Sequence, residues 1–217
     1  MDNSGREDLI GALSEVFSIL SEVFLEPEAD VKVRLAGVIG RCPERCPGLD
    51  GLPGALASMV EHCGKPQHQA VEYVRLFLHG NGNATVHPYE SVFTYNRLMA
   101  PECLGDLKAL HESAGIRPRK GLTLPQDHLG LELEFLSYIL AGFAQAEDAE
   151  EQERWRETAG VLLRRHLVPF GRQFVRKLGD AQPNPYFASA GDALVEGLHA
   201  CTLLLGIDME APAGSDH

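Results

Sequence analysis

The chain has 217 residues, of which 44% are hydrophobic and 23% are charged, and its formal net charge is -12. This composition is that of a globular protein with one sizeable core, and it excludes an intrinsically disordered chain. The acidic balance repels phosphates and anionic head groups, and no window approaches about 18 continuous apolar residues. We therefore expect neither nucleic acid binding nor membrane insertion.

The first segment shows apolar residues at three- and four-residue steps from Leu9 to Phe24, which predicts an amphipathic helix ending before Pro27. Its acidic start and interrupted apolar run differ from a secretory signal, so we expect a cytoplasmic protein. Similar stripes predict further helices. They include Val71, Val74, Phe77 and Leu78, and then Leu104, Leu107 and Leu110.

A Gly/Pro-rich break at 115–126 precedes the most apolar segment and predicts a hinge. Asp127 is placed to cap the helix that follows. Pro169 should kink or divide a later helix, and a last helix is expected from about Ala188 to Leu205. The sequence thus predicts an all-α protein: a single helical bundle of roughly eight to ten helices at 1–210, followed by a flexible tail at 211–217.

No nucleophile with a base and no phosphate loop occurs, so no enzymatic activity, no cofactor and no tight nucleotide binding are expected. Five cysteines are scattered along the chain. Four residues could offer zinc three thiolates and an imidazole, although their spacing matches no common zinc motif. They are Cys42, Cys46, His62 and Cys63.

Polar residues stand at two junctions between a loop and a helix. The first junction, "HPYES" at 87–91, contains Glu90 and Ser91, and the second, "PQDHL" at 125–129, contains Asp127 and His128. Each alone is explained by an ordinary helix start with a capping residue or an early carboxylate. Together, each beside an apolar helix, they favour a binding site.

Five motifs in order resemble the TorD/DmsD/NarJ group, the cytosolic chaperones of molybdenum-containing redox enzymes. They are "YVRLF" at 73–77, "PYESV" at 88–92, "PQDHLGLELEF" at 125–135, "HLVPF" at 166–170 and "NPYF" at 184–187. The resemblance runs from about Tyr73 to Leu205. Two positions depart from the pattern: Gln126 stands where an acidic residue is common, and Phe170 where Trp is frequent.

The resemblance implies a TorD-like chaperone whose partners are a molybdoenzyme catalytic subunit and its twin-arginine signal peptide. Such a peptide has a basic head and an apolar stretch, so its receptor needs carboxylates beside an apolar groove. The expected peptide-binding residues are Tyr73, Phe77, Pro88, Tyr89, Glu90, Ser91, Asp127, His128, Leu129 and Glu132.

Leu76 and His166 are expected in the core. A hinge allows exchange of identical elements, so we expect a monomer that also forms a domain-swapped dimer. The alternatives are a helical scaffold or regulator for another partner, and a zinc-binding protein.

Overall fold

The computed structural model describes residues 3–25, 30–42, 51–78, 86–117 and 124–210, and these ranges form helices without a strand. The all-α prediction is confirmed. The helices are α1 (Asn3–Leu25), α2 (Lys32–Ile39), α3 (Gly51–His62), α4 (Pro66–Tyr73), α5 (Glu90–Tyr95), α6 (Pro101–Ser113), α7 (Leu129–Gln145), α8 (Ala149–Leu162), α9 (Val168–Asp180) and α10 (Pro185–Leu205).

The core is built around α1, which packs along α7 and also contacts α10. Helix α10 packs in turn on α3 and α9. Aromatic side chains fill the space between α1, α9 and α10, with the Phe24 and Phe174 rings edge to face at 5.4 Å. Phe170, the residue found where Trp is frequent, is fully buried in this region. Burial of these large side chains drives the helices together.

Two π-helical turns interrupt the regular helices. The first, Val74–Leu78, continues α4, and its widened register turns Tyr73, Leu76 and Phe77 inward. Val71 and Leu78 are exposed instead, so the apolar stripe read at a regular helical period was wrong for these two positions. Leu76 is fully buried, which confirms the prediction that it lies in the core.

The second π turn, Leu163–Leu167, joins α8 to α9. Pro169 follows it in the first turn of α9. A proline has no N–H to donate and disturbs a regular helix interior, and its position just after a wider turn reduces this conflict. Pro169 therefore marks a division of the long helix, as predicted, and the division takes the form of a π turn.

Two boundaries differ from the sequence-based expectation. Helix α10 begins at Pro185 rather than Ala188, because the Asn184 side chain accepts a hydrogen bond from the Phe187 N–H at 3.0 Å and caps the helix. On α6, the buried stripe begins at Cys103 and continues through Leu107 and Leu110, whereas Leu104 is half-buried.

Helix α6 ends at Ser113, and two residues later Gly115 has a φ of 72°, in the left-handed region that favours glycine. The predicted hinge at 115–126 falls partly on residues 118–123, outside the described ranges, and the predicted tail at 211–217 lies wholly outside them. Both remain predictions. Within the described ranges, every helix is too short or too polar to cross a membrane.

Candidate functional site

The two junctions meet in the folded chain. Tyr89 and His128 form an isolated antiparallel β-bridge, in which the Glu90 N–H donates to the Asp127 carbonyl at 2.8 Å. The Leu129 N–H donates to the Pro88 carbonyl, also at 2.8 Å. This bridge holds the start of α5 against the start of α7. It brings together the residues that the sequence had placed at separate helix starts.

Glu90 is at the centre of a buried group of polar side chains. Its Oε2 accepts a hydrogen bond from His166 Nδ1 at 2.9 Å and one from Cys103 Sγ at 3.1 Å. The three residues are only 1–3% exposed. We call Glu90, Cys103, Asp127, Glu132 and His166 the polar cluster. Helices α5, α6 and α7 and the second π turn each contribute to it.

Asp127 does not cap α7, contrary to expectation. Its Oδ2 accepts a hydrogen bond from the Ser91 N–H at 3.1 Å, so it caps α5 across the bridge. His128 is the N-cap of α7, and its Nδ1 accepts from the Gly130 N–H at 3.1 Å. The sequence identified a capping residue but not which of two adjacent positions would face the new helix.

Glu132 lies one turn into α7, fully buried, and neither of its carboxylate oxygens has a hydrogen-bond partner. Burial, together with the nearby charges of Glu90 and Asp127, raises the pKa of Glu132 well above its usual value. Asp127 Oδ1 and Ser91 Oγ are also buried without a partner. Such groups are uncommon inside folded proteins because each one costs free energy.

His128 is buried beside Tyr89, with the two rings edge to face at 5.1 Å. Burial lowers the pKa of His128 to about 4, so the ring stays neutral and can accept the capping hydrogen bond. Burial likewise raises the pKa of Tyr73 to about 12. The Tyr73 hydroxyl donates to the Phe24 carbonyl at 3.0 Å.

The expected peptide-binding residues therefore divide into two groups. Glu90, Ser91, Asp127, His128 and Glu132 are packed in or around the polar cluster. The apolar members are buried, and they are Tyr73, Phe77, Pro88 and Leu129. Tyr89 is the one residue of the ten that is half-buried. In this conformation the ten residues lie mostly beneath the protein surface and do not line an open groove.

Cys103 and His166 were missed as members of this group. His166 is buried, as expected, yet its ring contacts a carboxylate as well as the apolar core. The "HLVPF" motif was the available signal for His166. For Cys103, the signal was its alignment with Leu107 and Leu110 on the inward face of α6.

The alternative zinc set gains no support from the described residues. Cys42 is buried, Cys63 is half-buried, and the exposed His62 contacts Ser58 instead. Within the described ranges these three do not gather at ligand distance, and Cys46 lies outside those ranges.

An exposed surface lies above the polar cluster at the end of α5. Tyr95, Leu98 and Met99 are 38–59% exposed. Burial, followed by the nearby ionisable groups of Cys103, Asp106, Glu90 and Glu102, raises the pKa of Tyr95. This apolar surface is therefore bordered by acidic groups. A peptide with a basic head and an apolar stretch matches it in both properties.

The charged side chains that line a recess beside α8 are mainly basic, unlike those of the surface at the end of α5. Its volume is about 630 Å³, and the arginines Arg154, Arg156, Arg164 and Arg165 line it beside α8 and the second π turn. Glu157 also lines this recess, and Arg156 and Arg165 are paired with Glu153 and Asp106. Its excess of arginine makes it a poorer match for a cationic peptide than the surface at the end of α5.

Comparison with known proteins identifies the family of this chain. A model of the nitrate reductase delta subunit family matches residues 49–176, more than half of the chain. A chaperone protein TorD from Vibrio parahaemolyticus is 23% identical over 197 residues, which are 89% of this chain and 91% of that protein. TorD of Aeromonas salmonicida is 24% identical over 68% of this chain and 65% of that protein.

The TorD of Vibrio cholerae strain O395 is 23% identical over 50% of this chain, and the match spans about half of that relative's length. These relatives are chaperones, which supports a role other than catalysis for this chain. The matched family region contains the whole polar cluster and both π turns. The chain belongs to the nitrate reductase delta subunit family, the TorD/NarJ group of molybdoenzyme maturation chaperones.

Proposed function

We propose that this chain binds the twin-arginine signal peptide, the apo catalytic subunit, or both, of a molybdoenzyme reductase. It holds the enzyme in the cytoplasm until its cofactor has been inserted, and so delays export. Family membership supports a redox-enzyme partner. The observation that carries the proposal further is the β-bridge that joins the two junctions beneath an acidic, apolar surface.

The proposed binding region is the end of α5 together with the bridge below it. Tyr95, Leu98 and Met99 offer apolar contact, and the accessible carboxylates are Glu102 and Asp106, whose side chains are 56% and 46% exposed. These two acids pair with Arg97 and Arg165 in the free protein. Arginines of a bound peptide would compete for the same carboxylates.

Glu90 and Asp127 form the second layer of the proposed site. Both are within a few percent of full burial, so a peptide arginine reaches them only when the bridge between the junctions opens. The proposal therefore has two steps: contact at Glu102 and Asp106, followed by opening and contact at Glu90 and Asp127. Two backbone hydrogen bonds close the bridge, with a net contribution of about 1 kcal/mol each, and opening also breaks the bond from the Ser91 N–H to Asp127 Oδ2.

Fluorescence anisotropy with a labelled twin-arginine peptide tests this order. The Glu90→Gln/Asp127→Asn double variant should bind well over tenfold more weakly, because each charge-assisted contact is worth on the order of 1.5–3 kcal/mol. Glu102→Gln/Asp106→Asn should slow association and reduce its salt dependence, since exposed charges mainly steer the encounter. A Glu150→Gln/Glu153→Gln variant on α8 is the control.

Equal affinity for wild type and both double variants would mean that this region is not the peptide site. The identity of the partner needs a separate measurement. A pull-down from a native extract of anaerobically grown cells should recover a molybdoenzyme catalytic subunit as the main protein. Recovery of an unrelated protein would favour the scaffold alternative and refute the chaperone assignment to a reductase.

The proposed oligomeric state is a monomer of one domain, 1–210, that also forms a dimer by exchange of elements across 115–126. Light scattering over a range of concentrations tests it. Two masses, with a dimer fraction that persists on dilution because exchange is slow, are expected. A single mass at every concentration would contradict the exchange.

A further inference from the structure

The side chains of Glu90, Cys103 and His166 have the composition and spacing of a metal-binding site. Oε2 of Glu90, Sγ of Cys103 and Nδ1 of His166 all lie within 4.8 Å of one another, and all three residues are buried. A thiolate, an imidazole and carboxylates form a donor set that suits zinc and related divalent metals. This site is different from the cysteine set considered from the sequence.

The distances fit a tetrahedral ion after a small adjustment. Zinc bonds of about 2.0–2.3 Å to nitrogen, oxygen and sulfur place neighbouring ligand atoms roughly 3.3–3.8 Å apart. The His166 to Glu90 and Cys103 to Glu90 distances are 2.9 Å and 3.1 Å. Each contact therefore has to lengthen by less than about 1 Å for an ion to replace the two hydrogen bonds.

The ligand atoms that lie within 4.8 Å of one another belong to Glu90, Cys103 and His166, and Glu132 is the candidate for a fourth ligand. Its carboxylate is completely buried, and both oxygens lack a hydrogen-bond partner. It lies near enough to Glu90 and Asp127 for their charges to raise its pKa further. A buried carboxylate of this kind is stable only when it is neutralised, paired or bound to a metal. Within the polar cluster, His166 is the only basic side chain available for three carboxylates.

Helix α6 is the element whose movement would let an ion enter. It packs less extensively on the other described helices than α1 packs on α7. Cys103 is in its first turn, directly after the exposed stretch 94–99. A small outward movement of this end would admit an ion, and binding would then tie α6 to α5, α7 and the second π turn.

We propose that Glu90, Cys103, Glu132 and His166 bind one zinc ion inside the bundle. Zn²⁺ replaces the proton on Cys103 Sγ, which leaves to solvent, and binds Nδ1 of the neutral His166 ring, whose one proton is then on Nε2. No oxidation or reduction is involved. The ion compensates the carboxylate charge and closes the polar cluster. The proposal does not rest on signal-peptide binding, but the ion and a peptide arginine would compete for the Glu90 carboxylate.

Cobalt is the spectroscopic probe for the thiolate ligand. Titration of the chelator-treated full chain with Co²⁺ should give one equivalent of a tetrahedral complex with thiolate-to-cobalt absorption. Cys103→Ser should abolish the thiolate absorption. Cys201→Ser, which changes another buried free cysteine, on α10, should leave it intact. Absence of the band in wild type, or its survival in Cys103→Ser, would overturn the site.

Glu132→Gln provides a test that does not depend on how Cys103→Ser folds. Zinc at 100 times its dissociation constant should raise the wild-type Tm by roughly 5–10 °C. Glu132→Gln removes an unpaired buried carboxylate, so the metal-free variant should be at least as stable as wild type. Its zinc affinity should nevertheless fall at least tenfold.

Glu134→Gln is the matched control, because Glu134 is on the same helix but exposed. It should behave as wild type in both measurements. Equal zinc affinities for wild type and Glu132→Gln would contradict the proposed coordination, as would the lack of any zinc-dependent change in Tm.

Discussion

The aromatic core between α1, α9 and α10 and the polar cluster between α5, α6 and α7 are equally inaccessible to solvent, but their contacts differ. In the aromatic core, the rings of Phe24, Phe77 and Phe174 pack on one another. In the polar cluster, Glu132 has no hydrogen-bond partner. Burial of the aromatic rings stabilises the fold, whereas burial of the unpaired carboxylate destabilises it. Polar groups retained at such a cost are typical of functional positions.

The largest expected effect is the loss of an aromatic ring from the core. Phe174→Ala should lower the free energy of unfolding by about 3–5 kcal/mol, because Phe174 is fully buried and contacts several other rings. Urea denaturation measures the change. Leu203→Ala, at a half-exposed position, should cost well under that amount. Similar costs for both variants would mean that this region is not the main source of stability.

The second expected effect is a pH dependence that arises beside the polar cluster. The folded pKa of His128, about 4, is below its ordinary value of 6.5, so its contribution is complete above pH 6.5 and is lost as the pH falls towards 4. The loss should reach about 2 kcal/mol by pH 5 and about 3 kcal/mol by pH 4.

His128→Asn isolates this effect, because asparagine is also a good N-cap but does not titrate. The difference in unfolding free energy between wild type and variant should change with pH over this interval, in the direction of a relatively more stable variant in acid. Parallel pH profiles would show that the His128 ring is accessible to water in solution.

The third prediction concerns the cost of the unpaired carboxylate. In chelator-treated protein, Glu132→Met should raise the free energy of unfolding by about 1–3 kcal/mol, since a buried polar group without a partner is replaced by an apolar one of similar size. Glu134→Met, on the exposed side of the same helix, should change it by no more than about 0.5 kcal/mol. A loss of stability in Glu132→Met would mean that the carboxylate has a partner in solution.

The smallest effect on stability is expected at the surface above the cluster. Tyr95→Ala and Leu98→Ala should each change the unfolding free energy by about 0.5 kcal/mol or less, since both side chains are substantially exposed. The same variants should weaken signal-peptide binding several-fold by removing apolar contact. Unchanged affinity in both variants would separate this surface from the peptide site.

The helices were predictable because their apolar spacing is a local property. The meeting of the two junctions was also indicated, through motifs in a recognisable order. The burial of Glu90, Asp127 and Glu132 was not, because charged side chains are normally exposed and sequence gives no depth for an individual residue.

Other features depended on small differences of register. The π turn after Tyr73 rotates Val71 out of the core, and regular helical spacing contains no sign of that turn. Whether Asp127 or His128 caps α7 depends on the bridge with Tyr89, a contact between distant parts of the chain. The membership of Cys103 and His166 in the cluster has the same origin, because they come from different helical segments.

The bridge between Tyr89 and His128 also has a consequence for how the chain can vary. It closes a loop that contains α5, α6 and the segment after them. The entropy of closing such a loop grows only with the logarithm of its length, about 0.6 kcal/mol for each doubling. Insertions or deletions in the segment between α6 and the bridge should therefore cost little free energy. Homologues that differ in length there can keep the two backbone segments of the bridge paired in the same register.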